Sequence, residues 1–184
     1  METYALSAVK GSLQLLQRIW LPWLRGKALQ PRSFAVLIPG VGPEHILDQG
    51  FGEIFVVRVA GNIAGLSELG SLEYAVKHLK VPLLLVLGHE ECGVVKAALQ
   101  GEAPGAVGEL IKEIGPAVRP VLDQEEEVED VVLEAVQANV WHTMGKLIER
   151  SPVIAEAVQS GSLMLTGAVY SLTTSQVAIL EEEG

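Results

Sequence analysis

The stretch Gly88-His89-Glu90-Glu91-Cys92-Gly93 sets an imidazole and a thiol three residues apart. The segment before it, Pro82 to Leu87, is apolar throughout and reads as a strand, and a helix starts near Cys92 and runs to Leu99. A strand end therefore delivers His89, and a helix start delivers Cys92. Imidazole nitrogen and thiolate sulfur both ligate Zn²⁺. A helix N-terminus also lowers the pKa of a thiol and favours the thiolate that a metal needs. Taken alone, one His and one Cys describe equally well a small buried Cys beside a loop-capping His. Without metal the same pair is a thiol next to a base, but no oxyanion site or orienting acid can be read beside it.

The elements around this stretch follow from periodicity. Phe34-Ala35-Val36-Leu37-Ile38 reads as a strand ended by Pro39-Gly40, and Pro43 suits the first turn of a short helix through Asp48. A second strand covers Ile54 to Val59. A helix covers about Ser67 to Leu79, with Leu69, Leu72, Ala75, Val76 and Leu79 on one face. A strand as apolar as Pro82 to Leu87 belongs inside a sheet covered on both sides, which favours parallel α/β architecture. His89 then sits at a carboxyl strand end, where open α/β sheets place their ligands. Gly101 to Pro120 reads as a loop with a short helical piece around Leu110 to Ile114. The acids of Asp123 to Asp130 suit the first turn of a long helix to Arg150, with a metal or basic-partner role as the alternative. Pro152 to Val158 is a short helix, and Leu163 to Val169 with Gln176 to Leu180 form a hairpin.

The chain has 184 residues, 49% of them hydrophobic and only 5% aromatic, enough for one sizeable aliphatic core. Its formal charge of -10 argues against nucleic acid as a partner. Cys92 is the one cysteine, so no internal disulfide forms, and a cytoplasmic setting is expected. Residues 1–30 carry a stripe, Leu6, Val9, Leu13, Leu16, Trp20 and Leu24, at helical spacing. It predicts an amphipathic arm that packs on its own domain or a twin subunit, or docks on a partner protein or membrane surface. Charged residues and Pro22 interrupt it, so no transmembrane segment is expected, and no signal-peptide pattern is evident.

Several blocks together resemble a family. Asp48-Gln49-Gly50 through Arg58-Val59-Ala60-Gly61-Asn62 is similar to the β-class carbonic anhydrase block around its Arg-x-Ala-Gly-Asn motif. Gly70-Ser71-Leu72-Glu73-Tyr74 resembles the helix that follows, Gly88-His89-x-x-Cys92-Gly93 the second zinc block, and Leu165 to Tyr170 with Val177 the closing strands. The resemblance runs in family order from about Phe34 to Leu180. It implies an α/β fold in which a mostly parallel sheet of about four to five strands is flanked by helices, over residues 31–184. It also implies a homodimer or larger homo-oligomer and a zinc enzyme interconverting CO₂ and bicarbonate.

The resemblance further implies a first zinc cysteine in a Cys-x-Asp-Ser-Arg motif, whose Asp and Arg gate the metal. Counting back from Pro43-Glu44, the cysteine falls on Val36, the aspartate on Ile38, the serine on Pro39 and the arginine on Gly40. None of these can play its part. His89 and Cys92 are then remnant ligands, insufficient alone, with Glu44, His45 and Asp48 the nearest candidates to fill the gap. Zinc is expected to be absent or weakly bound, and no catalytic residue is assigned. Arg58 is expected either to bind a small anion or to pair with a carboxylate in a subunit interface. The expectation is a relative without CO₂ hydration activity, acting as a structural, regulatory or anion-sensing subunit. The alternative is a carbonate dehydratase with an altered zinc site.

Overall fold

A computed structural model of the chain describes residues 34–38, 42–50, 52–101, 103–122 and 128–181. The expected N-terminal arm, together with Pro39 and Gly40, lies outside the described residues.

Five strands form one sheet: β1 (Phe34–Ile38), β2 (Ile54–Arg58), β3 (Leu83–His89), β4 (Met164–Tyr170) and β5 (Val177–Ile179), in the spatial order β2-β1-β3-β4-β5. The first four are parallel, and β5 returns antiparallel to β4 as the expected hairpin. The described helices are α1 (Pro43–Leu47), α2 (Leu66–Lys77), α3 (Gly93–Gln100), α4 (Ala106–Val118), α5 (Val128–Arg150) and α6 (Pro152–Gln159), with 3₁₀ turns at Ala60–Asn62 and Arg119–Val121. This is the α/β arrangement that the apolar strands called for.

Alternation along the strands builds two cores. Ala35 and Leu37 of β1 with Leu84 and Val86 of β3 face α2, α3, α4, α5 and α6. Val36 and Ile38 with Leu83, Leu85 and Leu87 face the other way, onto Ile46 and Leu47 of α1 and Ala168 of β4. Successive side chains of a strand point to opposite faces, so both faces of β1 and β3 must be apolar to be covered. Val36, Ile38, Leu85 and Leu87 have no exposed surface.

The long helix α5 sits close against the sheet beneath the candidate site. A Cβ at Gly88 would meet Val136 and Val140 of α5 at 2.9 Å each, and one at Gly167 would meet Val140 at 2.7 Å. Glycine at these two positions lets α5 approach β3 and β4, and so sets the level of His89 against the helix layer.

One expectation is corrected. Gly101 to Pro120 is not a loop with a short helical piece. It contains a helix of 13 residues, α4, with Pro116 inside it. The glycines and prolines read as turn signals, but Ile111, Ile114 and Val118 recur at helical spacing and are buried against the main core. Burial of that stripe outweighs a weak local propensity. Helix α2 also ends at Lys77 rather than Leu79, and Lys80 just beyond it has a left-handed backbone (φ 55°).

Candidate functional site

His89 is the last residue of β3, and Cys92 is the N-cap of α3. The two residues between them turn the chain, with Glu91 in the left-handed region (φ 56°). The ring Nδ1 of His89 lies 2.7 Å from the carbonyl oxygen of Glu90. A carbonyl can only accept, so Nδ1 carries the proton, and Nε2 is left as the nitrogen free to meet a thiolate or a metal.

The two side chains hold each other's charge. The hydrogen bond with Cys92 raises the His89 pKa above its ordinary value, against burial, and the Glu90 carbonyl adds to the rise. Burial pushes the Cys92 thiol up. The hydrogen bond with His89, the backbone N–H groups of Val95 and Val94 and the imidazole charge outweigh it and bring the thiol below its ordinary value. Cys92 is 4% exposed, packed beside Val95 in the main core. The thiol at the helix N-terminus thus loses its proton more readily than a free cysteine, but it is nearly closed to solvent.

Glu90 fastens this turn to the rest of the sheet, a role that the sequence does not reveal. Its backbone N–H donates to Tyr170 O at 3.0 Å. One carboxylate oxygen accepts from Ser171 Oγ and Leu172 N, both at 2.9 Å, and from Thr173 N at 3.4 Å. The His89–Cys92 turn and the β4–β5 turn thus move as one piece.

A second polar group lies nearby. Asn62, with a left-handed backbone (φ 43°), and Asn139 of α5 are both buried. Asn139 Nδ2 donates to Gly61 O at 2.8 Å and lies 3.5 Å from Asn62 Oδ1. Among the described residues, Asn62 Nδ2 and Asn139 Oδ1 have no partner within hydrogen-bond reach. Nothing in the spacing of α5 marks Asn139, because its partners are 77 and 78 residues away. Arg58 ends β2 beside Ile38 and is exposed, and it makes no ion pair among the described residues.

The register of the sheet places Val36 and Ile38 on the strand next to the one that ends in His89. Val36 pairs with Leu85, four residues before His89 on β3. Four residues of parallel strand span about 13 Å. Neither Val36 nor Ile38 carries a lone pair that zinc could take. Val36 and Ile38 also belong to the cluster on the face away from Cys92. Counting back through the sequence places the missing motif on these residues, and the described strand packs both of them in the second core.

His89 and Cys92 do not by themselves fit a catalytic zinc ion, which takes three protein ligands. Among the described residues no three His, Cys, Asp or Glu side chains are grouped to hold a metal. Glu44, His45 and Asp48 of α1 and its cap therefore do not complete the pair. Residues 39–41 are Pro, Gly and Val, which bring no side-chain donor.

The family model for carbonic anhydrase matches residues 40–177. Carbonic anhydrase 2 of Mycobacterium tuberculosis (strain H37Rv) is 39% identical over 153 residues, covering 78% of this chain and 70% of that protein. The crystal structure of a β-carbonic anhydrase of Aspergillus fumigatus superposes with a TM-score of 0.76 at 24% identity, covering 96% of this chain and 86% of that one. A tetrameric β-carbonic anhydrase of Sordaria macrospora superposes with a TM-score of 0.71 at 23% identity, covering 97% and 95%. At these identities the two structures speak for the fold alone.

Proposed function

The chain belongs to the β-carbonic anhydrase family, and we propose that it is a member without CO₂ hydration activity, serving as a structural or regulatory subunit of a homo-oligomer. The observation that carries this reading is the donor set. His89 and Cys92 meet, but the described residues offer no third ligand beside them, and the strand end that precedes α1 supplies only aliphatic side chains, proline and glycine.

Val36 and Ile38 support the same reading from the packing side. Both are fully buried in an aliphatic cluster, and a polar residue at either place would carry a desolvation cost with no partner to offset it. The stripe in residues 1–30 is the proposed docking element of the assembly, and exposed Arg58, without an ion pair among the described residues, is the residue from which an anion-sensing role would be built. The family is zinc-dependent, and the other reading, a carbonate dehydratase with an altered zinc site, rests on the retained His89–Cys92 pair.

Metal analysis of the purified chain followed by stopped-flow CO₂ hydration tests the proposal. Zinc far below one per chain, with no hydration above background, is expected. Zinc at full occupancy together with hydration sensitive to chelators would overturn it.

A further inference from the structure

A cavity of about 360 Å³ lies between α2 and α6, at the opposite end of the sheet from His89 and Cys92. It sits just before the starts of β3 and β4, since Val81 and Leu163 are among its walls. Seven residues of β3 separate the two ends, about 20 Å. Its volume is at the lower end of the range for small-molecule sites.

The wall is divided by charge. Lys77 and Lys80 stand on the α2 side, and Glu156 stands on α6. None of the three makes an ion pair among the described residues. Opposite charges thus flank one cavity without satisfying each other, on a chain whose formal charge is -10. Lys80 occupies a left-handed backbone position (φ 55°), over which Val81 N reaches back to Ala75 O at 3.3 Å.

Two serines complete the acceptor side. Ser160 Oγ and Ser162 Oγ both donate to Ala157 O, at 3.1 and 3.0 Å, and they lie 3.0 Å from each other. Ala157 O also accepts from Ser162 N and Leu163 N at 3.0 Å each, and whichever hydroxyl donates to the other, each oxygen keeps at least one lone pair to offer. Val76, Val153 and Leu163 supply apolar surface between the two polar sides.

We propose that this cavity binds a small aliphatic α-amino acid. Lys77 and Lys80 take its carboxylate, Glu156 and the two serine oxygens take its ammonium, and the valines and Leu163 cover its side chain. A simple anion would leave Glu156 facing it, and a simple amine would leave two lysines facing it. Only a dipolar ligand answers both sides. The site is independent of whether His89 and Cys92 hold a metal.

The test is calorimetric titration of the full chain with L-valine, 3-methylbutanoate and 2-methylpropylamine. Valine binding is expected, with each single-charge analogue at least about tenfold weaker. Lys77→Ala with Lys80→Ala, and separately Glu156→Ala, are expected to weaken valine by a similar factor while thermal unfolding stays unchanged, since these side chains are solvent-facing. No heat with valine at about 10 mM, an analogue that binds as tightly as valine, or a Glu156→Ala variant of unchanged affinity would each overturn the proposal.

Discussion

Val36 stands beside Leu85 on the neighbouring strand, four residues short of His89 and on the face away from Cys92. Whether the lost first ligand can be regained at the places that sequence counting assigns is therefore a question about this strand.

The variant Val36→Cys, Ile38→Asp, Gly40→Arg is expected to bind no more zinc than the parent chain, because positions 36 and 38 are fully buried in the second core. Ile38→Asp by itself places a carboxylate in a fully buried aliphatic cluster and is expected to cost about 3 kcal/mol or more. Zinc titration with a chromophoric competitor and urea unfolding read the two effects. Recovery of one zinc per chain would overturn the first expectation.

Glu90→Gln keeps the shape of the latch between the two turns but removes its charge. Three donors, from Ser171, Leu172 and Thr173, lose a charged acceptor. The expected loss is about 1–2 kcal/mol. Amide exchange at Leu172 and Thr173 is expected to quicken well before exchange in β3, and unchanged protection there would show that the latch is not holding the turn.

Asn139→Ala removes the donor to Gly61 O inside the buried polar pair. It leaves a buried carbonyl and Asn62 unsatisfied, for an expected cost of about 2 kcal/mol. A denaturant midpoint within error of the parent would mean that Gly61 O finds another partner.

His142 on α5 makes stability depend on pH. Burial, together with the nearby Lys146 charge, lowers its pKa, against the opposing pull of Glu113. The folded state then binds the proton later than the unfolded chain does. Stability from this group is present above the unfolded value of about 6.5 and is lost as pH falls through the lower folded value. His142→Gln is expected to flatten that part of the profile, as read from urea midpoints between neutral and mildly acidic pH. A variant that tracks the parent at every pH would remove the effect from His142.

Much of the fold was legible because apolar runs report burial directly. Phe34 to Ile38 read as a strand, Pro82 to Leu87 as a strand of a sheet covered on both sides, and Pro43 at the first turn of α1 was read from its lack of an N–H. Helix α4 was read too short, as a piece around Leu110 to Ile114, because Gly105, Gly108, Gly115 and Pro116 imitate a loop, whereas Ile111, Ile114 and Val118 find partners only after folding.

The sequence alone determined which donors exist. One cysteine, one histidine three residues before it, and a strand end without a ligand side chain are matters of composition and order, and so are the blocks that place the chain in its family. Tertiary structure decided what surrounds those donors and what packs at Val36 and Ile38. The side-chain period of a strand is two, so a shift of register or parity changes which face and which neighbour a residue meets, and that choice is made by packing between strands. The same reason hid Asn139 and Glu90, whose partners come together only when α5 and the β4–β5 turn close over the end of β3.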